Sequence, residues 1–292
     1  PPRSTPKPSS AASDVYKRQG VVSGQSSIMM MDGWTWEDAT FSHPSGLHVN
    51  WPQMGTRTGG WRFSMPVNRQ IERRKAALKK LDDMIAHGRA YARLRKTNIR
   101  NAENYHDEDL RWESMMPYVE GKLPIYIHAN EVRQIEAAVN WAKRHELKAI
   151  IVGGKDAWRT TELLRKNKVP VIYEGVTALP SRRYEDYDQA YKGPAMLYKA
   201  GVQFCISSSG SAGGAYRVRN LPNHAAMAAA YGLPKDVALK SITLYAAEIL
   251  GIDSQVGSLE AGKDATLFIS TGDPLEIRTN VLQAYIPVSY TH

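Results

Sequence analysis

The chain has 292 residues, a formal net charge of +9 and a single cysteine. One cysteine excludes an internal disulfide framework, and no apolar run approaches the roughly 20 residues that cross a bilayer, so we predict no membrane span. The length and a hydrophobic content of 42% allow one large domain with a smaller appendage.

Both ends of the chain read as translated sequencing-adaptor DNA. Residues 14–19 spell DVYKRQ and residues 288–292 spell VSYTH, which are translations of the two strands of one transposon end. We therefore predict that residues 1–19 and 288–292 are non-native, and we exclude them from the fold prediction. The rest is interpreted as a piece of a longer gene, whose compartment, cytoplasmic or periplasmic, stays open.

Short strands precede a long helix in the first part of the chain. Residues 20–31 predict two apolar strands joined by a small-residue turn, and residues 47–49 predict a third strand. Residues 69–100 predict a helix that is interrupted near Gly88 and has one apolar face. Residues 107–120 predict a second helix. Its expected buried positions are Leu110, Met115 and Val119.

Much of the positive charge lies in the helix predicted at 69–100. Clustered lysine and arginine can indicate a nucleic-acid or anionic-membrane surface. No aromatic platform or known nucleic-acid motif accompanies the charge, and the apolar face is typical of an outer helix packed on a core. We therefore predict a solvated helix and no nucleic-acid partner.

From Leu123 onward, strand and helix patterns alternate regularly. The predicted strands are 125–127, 148–152, 170–173 and 202–206, and the predicted helices are 132–145, 157–167, 187–200, 225–231 and 235–250. Repeated alternation of this kind indicates a parallel sheet. We predict an α/β fold in which residues 20–252 form a partial TIM-like (β/α)8 barrel.

The last segment breaks that alternation. Residues 256–270 read VGSLEAGKDATLFIS, in which a turn containing Gly262 separates two short strand-like runs. This pattern is typical of a β-hairpin. We therefore predict a small β-sandwich segment over residues 253–287 beside the barrel.

Three stretches resemble the metal-dependent amidohydrolase superfamily. Residues 249–275, ILGIDSQVGSLEAGKDATLFISTGDPL, are similar to its C-terminal signature, and residues 233–252 resemble its last barrel helices. The run HANE at residues 128–131 is similar to the strand-five motif of the imidazolonepropionase-like branch.

The resemblance implies a (β/α)8 barrel that holds one or two divalent metals, Zn in our interpretation, at its C-terminal mouth. In this chemistry the metal activates a water molecule, which attacks a non-peptide C–N bond of a small linear or cyclic amide. A small-molecule substrate is the implied partner, and a homo-oligomer is compatible with it.

The resemblance assigns His128 as a metal ligand and Glu131 as the catalytic residue that contacts the substrate or the attacking water. The residues themselves agree, because a histidine at the end of a strand that feeds a helix lies where α/β barrels keep catalytic groups. A buried histidine at a strand end, and an acid stabilised by the helix dipole, are the purely structural alternatives.

Two positions depart from the family pattern. Gly153 and Gly154 stand where strand six usually ends in a metal-binding histidine, and Ser207 or Ser208 stands where strand eight usually ends in a catalytic aspartate. A serine cannot replace the anionic ligand and general base that an aspartate supplies. We assign Ser207 and Ser208 to substrate binding.

Lys155 is the third residue assigned to substrate binding. With its neighbour Asp156 it could compensate for the absent strand-six ligand, or the two could form an ordinary surface ion pair.

Two functions of different class follow. The first is a metal-dependent hydrolase, and the second is a catalytically degenerate member that uses the barrel pocket to bind a small metabolite. We expect the polypeptide as given to be inactive, because the first barrel strands and two of the expected ligands are not in its sequence.

Overall fold

The computed structural model describes residues 20–30, 33–56, 65–98, 108–208 and 217–286. The two segments predicted to be non-native, 1–19 and 288–292, lie outside the described residues, so their assignment stays a prediction.

A six-stranded sheet forms the centre of the described structure. Its strands lie side by side in chain order. They are β1 (Val22–Met29), β2 (Thr40–Asn50), β3 (Ile125–Ala129), β4 (Ala149–Gly153), β5 (Val171–Glu174) and β6 (Phe204–Ser207). The first strand pairs antiparallel with β2, and the next four pairings are all parallel. The predicted α/β fold with a parallel sheet is confirmed.

Helices connect the parallel strands. They are α1 (Val67–Asn98), α2 (Leu110–Glu113), α3 (Met116–Val119), α4 (Val132–Arg144), α5 (Thr161–Lys166), α6 (Gln189–Lys199), α7 (Leu221–Ala230), α8 (Lys235–Ser241) and α9 (Leu244–Leu250), with short 3-10 turns at Ala157–Arg159 and Val218–Asn220. Each parallel pair from β3 to β6 is therefore linked by a helical crossover, as barrel topology requires. None of the described helices is long and apolar enough to span a membrane.

Both faces of the sheet pack against apolar side chains, although β1 at its edge is only partly buried. Side chains alternate between the faces along each strand. One face joins the helices in the main core, which includes Leu47, Val49, Ile125, Ile127, Ile151, Val171, Leu81, Ile85, Ile135 and Leu197. The other face carries a smaller apolar cluster that α9 covers, formed by Tyr126, Ile150, Val152, Cys205 and Ile249. Polar side chains on this second face, His48 and His128 among them, are partly buried.

The first part of the chain corrects several predicted boundaries. Residues 22–29 form one strand instead of two, because they pair along their length with β2, which is itself much longer than the predicted strand at 47–49. The predicted second helix is split into α2 and α3. Met115 and Val119 are buried as predicted, whereas Leu110 is 77% exposed and was assigned wrongly to the core.

Helix α1 runs without interruption through Gly88, where we predicted a break. A Cβ atom at Gly88 would lie 2.9 Å from a methyl group of Val119, so this glycine allows α1 and α3 to approach closely. Helix α1 also buries Leu81 and Ile85 and exposes most of its charged side chains.

The C-terminal part forms a separate two-stranded antiparallel sheet. Strand β7 (Leu267–Ser270) pairs with β8 (Val281–Tyr285). The prediction that a turn at Gly262 joins two strands is wrong, because residues 252–264 fold into turns closed by a bond from the Asp264 N–H to the Gln255 carbonyl. The β-sandwich segment over residues 253–287 stays a prediction.

Candidate functional site

Two histidines meet on the second face of the sheet. His48 lies in β2 and His128 near the end of β3, and their Nδ1 and Nε2 atoms are 2.9 Å apart. The parallel register places Asn50 beside His128 and His48 beside Tyr126, so the two rings are diagonal neighbours. His128 was predicted, but His48 was missed. Its only sequence signal is a polar residue between the apolar Leu47 and Val49 in a strand.

Burial keeps both histidines neutral. Desolvation, together with the positive charge that His128 would carry, lowers the pKa of His48 from 6.5 to about 4. Desolvation lowers the pKa of His128 to about 4 as well. At neutral pH one facing nitrogen therefore donates its N–H to the lone pair of the other.

Tyr126 forms a wall beside the pair. Its ring centroid lies 4.9 Å from that of His48. The ring lies over Gly46 of the neighbouring strand, where a Cβ atom would come within 2.0 Å of the Tyr126 Cε2 atom. Only glycine leaves room for this arrangement.

Glu131 lies at the start of α4, outside the sheet. It occupies the N-cap position, and its backbone N–H donates to Oε1 of Gln134 at 3.1 Å. Its side chain is half-buried. This geometry accounts for an acid at a helix start, and the catalytic assignment of Glu131 stays a prediction.

Gly153, at the position of the absent strand-six ligand, ends β4 in a conformation that suits only glycine. Its φ is +96°, and a Cβ atom there would lie 2.5 Å from the Oδ1 atom of Asn130. The backbone and its neighbour therefore exclude a ligand side chain at this position.

Ser207 ends β6 beside Glu174 of β5. Its hydroxyl donates to the Ser208 carbonyl at 2.9 Å. The Ser208 hydroxyl is buried and finds no partner within the part of the chain that the structure describes. Alternation places the Ser207 and Glu174 side chains on the same sheet face as the histidines.

Lys155 and Asp156 do not form the ion pair that we considered. Lys155 is exposed, whereas Asp156 is 4% exposed and binds Arg182, which donates to both of its carboxylate oxygens. Asp156 also accepts the Val132 N–H at 3.2 Å.

Lys155 lines a surface depression between the loops that follow β4 and β5. Its walls include Trp158, Tyr173, Leu179 and Gln189. The depression is not lined by His48, His128, Ser207 or Ser208, so the structure does not bring Lys155 together with these residues there.

The two histidines supply part of the donor set that a divalent metal needs. Neutral imidazole nitrogens are good ligands for zinc, but a zinc site generally takes at least three protein ligands. Among the described residues no group of three or more His, Cys, Asp and Glu side chains could hold a metal ion. His48 and His128 therefore supply two ligands of such a site and do not complete it.

Comparison with known proteins decides the family. Residues 124–288 match the profile of the Amidohydrolase family, which is more than half of the 292-residue chain. The chain belongs to the amidohydrolase family. Assignment to the imidazolonepropionase-like branch stays a prediction.

Two relatives are informative. Amidohydrolase tasK of Hapsidospora irregularis is 25% identical over 245 residues, which cover 79% of this chain and 24% of that protein. This chain thus spans about a quarter of the length of that relative. The solved structure of an amidohydrolase from Thermotoga maritima MSB8 superposes with a TM-score of 0.73 at 23% identity, covering 91% of this chain and 67% of that one. This likeness supports the amidohydrolase barrel fold.

Proposed function

We propose that the whole protein is a hydrolase that cleaves a non-peptide C–N bond of a small linear or cyclic amide. Membership of the amidohydrolase family supports hydrolysis of an amide-type bond. The contact between His48 and His128 carries the proposal, because it places the ring nitrogens of two neutral, partly buried imidazoles 2.9 Å apart on one sheet face. Amidohydrolase chemistry requires ligands of this kind.

A divalent metal, Zn in our proposal, would polarise the scissile carbonyl and lower the pKa of the attacking water. The residues of this chain have separate tasks. His48 and His128 are neutral at neutral pH, since the pKa of each is about 4, so neither would first have to lose a proton from an imidazolium. The ring that donates its N–H in the contact would change tautomer so that both facing nitrogens present a lone pair. We propose Glu131 as the group that takes a proton from the water, and Ser207, Ser208 and Lys155 as substrate contacts.

The test combines Zn²⁺ binding and turnover. We expect His128→Asn and His48→Asn each to weaken Zn²⁺ binding, measured by calorimetry, by at least about tenfold. The matched control is His43→Asn, because His43 also lies in β2 but is exposed and bonds Ser27. Hydantoin and p-nitroacetanilide serve as the cyclic and the linear amide in assays of the full-length gene product.

The two outcomes are distinct. Metal-dependent hydrolysis that both histidine variants abolish would support the proposal, whereas turnover that survives both substitutions would overturn it. Because the described residues bring together only two ligands, we expect no turnover from residues 20–286 alone.

A second candidate is a degenerate family member that binds a small metabolite. Gly153 and Ser207 favour it, because they occupy the positions where the resemblance led us to expect a metal ligand and a catalytic acid. A ligand that binds only the folded state raises the melting temperature. A rise in the presence of a chelator, without hydrolysis, would favour this candidate.

A further inference from the structure

Gln134 is a buried polar residue in the first turn of α4, with 4% of its surface exposed. Such a residue needs partners for its amide group, since an unpaired buried amide costs about 1–3 kcal/mol. The hydrogen-bond partners of Gln134 show which parts of the chain it connects.

Both halves of the Gln134 amide are bonded, and they point to different strands. Oε1 accepts the backbone N–H groups of Asn130 at 3.2 Å and Glu131 at 3.1 Å, directly after β3. Nε2 lies 3.1 Å from the Trp51 carbonyl and 3.4 Å from the Pro52 carbonyl, directly after β2. One side chain thus joins the ends of the two strands that carry the histidines.

Helix capping explains only half of these bonds. A glutamine at the third helical position commonly accepts the N-cap N–H, as Gln134 does from Glu131. The bonds to Trp51 and Pro52 cross 83 and 82 residues of chain and contribute nothing to capping. They therefore serve the contact between β2 and β3.

The bridge lies next to the histidine contact. The last paired residues of the two strands are Asn50 and His128, and the Trp51 N–H then donates to the His128 carbonyl at 3.1 Å. Gln134 adds its bonds immediately beyond this point. A hydrogen bond needs heavy atoms about 2.7–3.2 Å apart and a nearly linear angle, so the contact between the imidazoles depends on how the two strand ends are placed.

We propose that Gln134 is a positioning residue that holds His48 and His128 in contact and fixes the backbone of Glu131. For its part in catalysis this inference rests on the proposed function. The positioning of the histidines does not depend on it.

The decisive variant is Gln134→Glu. It keeps an oxygen that can accept from Asn130 and Glu131, so it preserves the cap, but it has no donor for the carbonyls of Trp51 and Pro52. Gln134→Met, which removes both kinds of bond at similar size, is the second variant in case the glutamate variant does not fold. The control is Gln203→Met, because Gln203 is exposed and its side chain bonds only Glu248 in the described structure.

The main measurement is the ¹⁵N NMR spectrum of the histidine rings at pH 7.5 in protein treated with a chelator. His48→Asn and His128→Asn assign the two signals. We expect Gln134→Glu to shift both while leaving the ring of His145, which binds Asp82, unchanged. Gln203→Met should shift none. A purely structural role would lower the melting temperature without moving these two signals in the folded protein.

Zn²⁺ alone, titrated into the full-length gene product and its Gln134 and Gln203 variants, is the second measurement. We expect Gln134→Glu to weaken its binding about 10- to 100-fold, the usual effect of losing a residue that orients metal ligands. Unchanged ring signals for His48 and His128 in a folded Gln134 variant would overturn the inference. If the unsubstituted full-length gene product binds no Zn²⁺, the proposed function loses its support, and the NMR comparison still decides the role of Gln134.

Discussion

The partly buried histidine pair links the stability of the protein to pH. In the folded protein His48 and His128 have a pKa of about 4, against 6.5 for a free histidine. Between these values the unfolded chain binds protons that the folded chain does not. The free energy of unfolding therefore falls as the pH drops from about 6.5 to about 4, and these groups do not change it above that range.

We expect this dependence in urea unfolding of chelator-treated protein between pH 7.5 and pH 4.5. The slope of unfolding free energy against pH counts the difference in bound protons, with about 1.4 kcal/mol for each pKa unit of a single group. His128→Asn removes one such group, so its slope should be smaller by up to one proton. Equal slopes for the two proteins would show that His128 is not buried in its neutral form.

The position of the Tyr126 ring beside the histidines depends on Gly46. Gly46→Ala would place a methyl group 2.0 Å from the Tyr126 ring, which must then leave its present position beside His48. Overpacking of this kind costs about 1–3 kcal/mol. We expect a lower urea midpoint for Gly46→Ala. Gly55→Ala is the control, because a Cβ atom at Gly55 meets nothing within 4 Å, and it should leave the midpoint unchanged.

At the residue scale, sequence reasoning found one half of the site. His128 was predictable because its apolar strand is short and local, and because HANE resembles a known motif. Its partner His48 lies 80 residues earlier, and only the register of β2 against β3 brings the two together. The same limit applies to Asp156, whose partner Arg182 lies in another loop, so that a local pairing with Lys155 was the natural expectation.

At the scale of elements, Asp82 attaches the long basic helix to the rest of the structure. Its Oδ1 atom accepts bonds from three side chains of α4 and its C-terminal cap, Trp141 at 2.9 Å, Arg144 at 3.1 Å and His145 at 2.8 Å. Burial alone would raise the pKa of Asp82, but bonds from His145 and Trp141 and the charge of Arg144 lower it. The carboxylate is therefore charged and bonded at neutral pH.

We expect Asp82→Ala to lower the free energy of unfolding by about 1–2 kcal/mol, allowing for the partial exposure of the carboxylate. The neighbouring substitution Asp83→Ala is a matched control. Asp83 makes only an exposed pair with Lys79 in the described structure, which is worth about 0.5 kcal/mol or less. Urea unfolding of the two variants checks this. Equal losses would mean that Asp82 contributes nothing specific to helix docking.

The sequence was enough to predict that α1 is a helix, but not whether it continues through Gly88. The apolar spacing of Leu81 and Ile85 indicated the inner face of α1 correctly. Gly88 was taken as a break because glycine disfavours helices by about 1 kcal/mol. In the structure it serves close packing on Val119, a contact that no local pattern reveals.

At the scale of the whole molecule, the two sheets differ in how well they are covered. The six-stranded sheet has apolar clusters on both faces of its inner strands, whereas β7 and β8 expose large apolar side chains, among them Phe268, Ile269 and Leu282. A two-stranded sheet with little packing has low local stability. We expect its amides to exchange with deuterium far faster than those of β3, β4 and β5, as measured by mass spectrometry. Comparable protection would show that a partner surface covers β7 and β8.

The general fold was predictable for a physical reason. Alternating strands and helices leave few topologies other than a parallel sheet, so the order of β3 to β6 followed from the sequence pattern. The antiparallel pairing of β1 and the partner of β7 were not predictable, since short strands carry no signal of which strand they join.

The buried carboxylate of Asp156 has a consequence for how this protein can vary. It accepts the Val132 N–H after β3, stands in the loop after β4, and holds Arg182 of the loop after β5. The segments that follow three successive strands thus bind one carboxylate. None of the three can be replaced by a different sequence without affecting the other two. A substitution at Arg182 would leave the buried carboxylate of Asp156 without its cationic partner, beside the start of α4. Replacing the loop after β5 to alter specificity would therefore also require a new partner for Asp156.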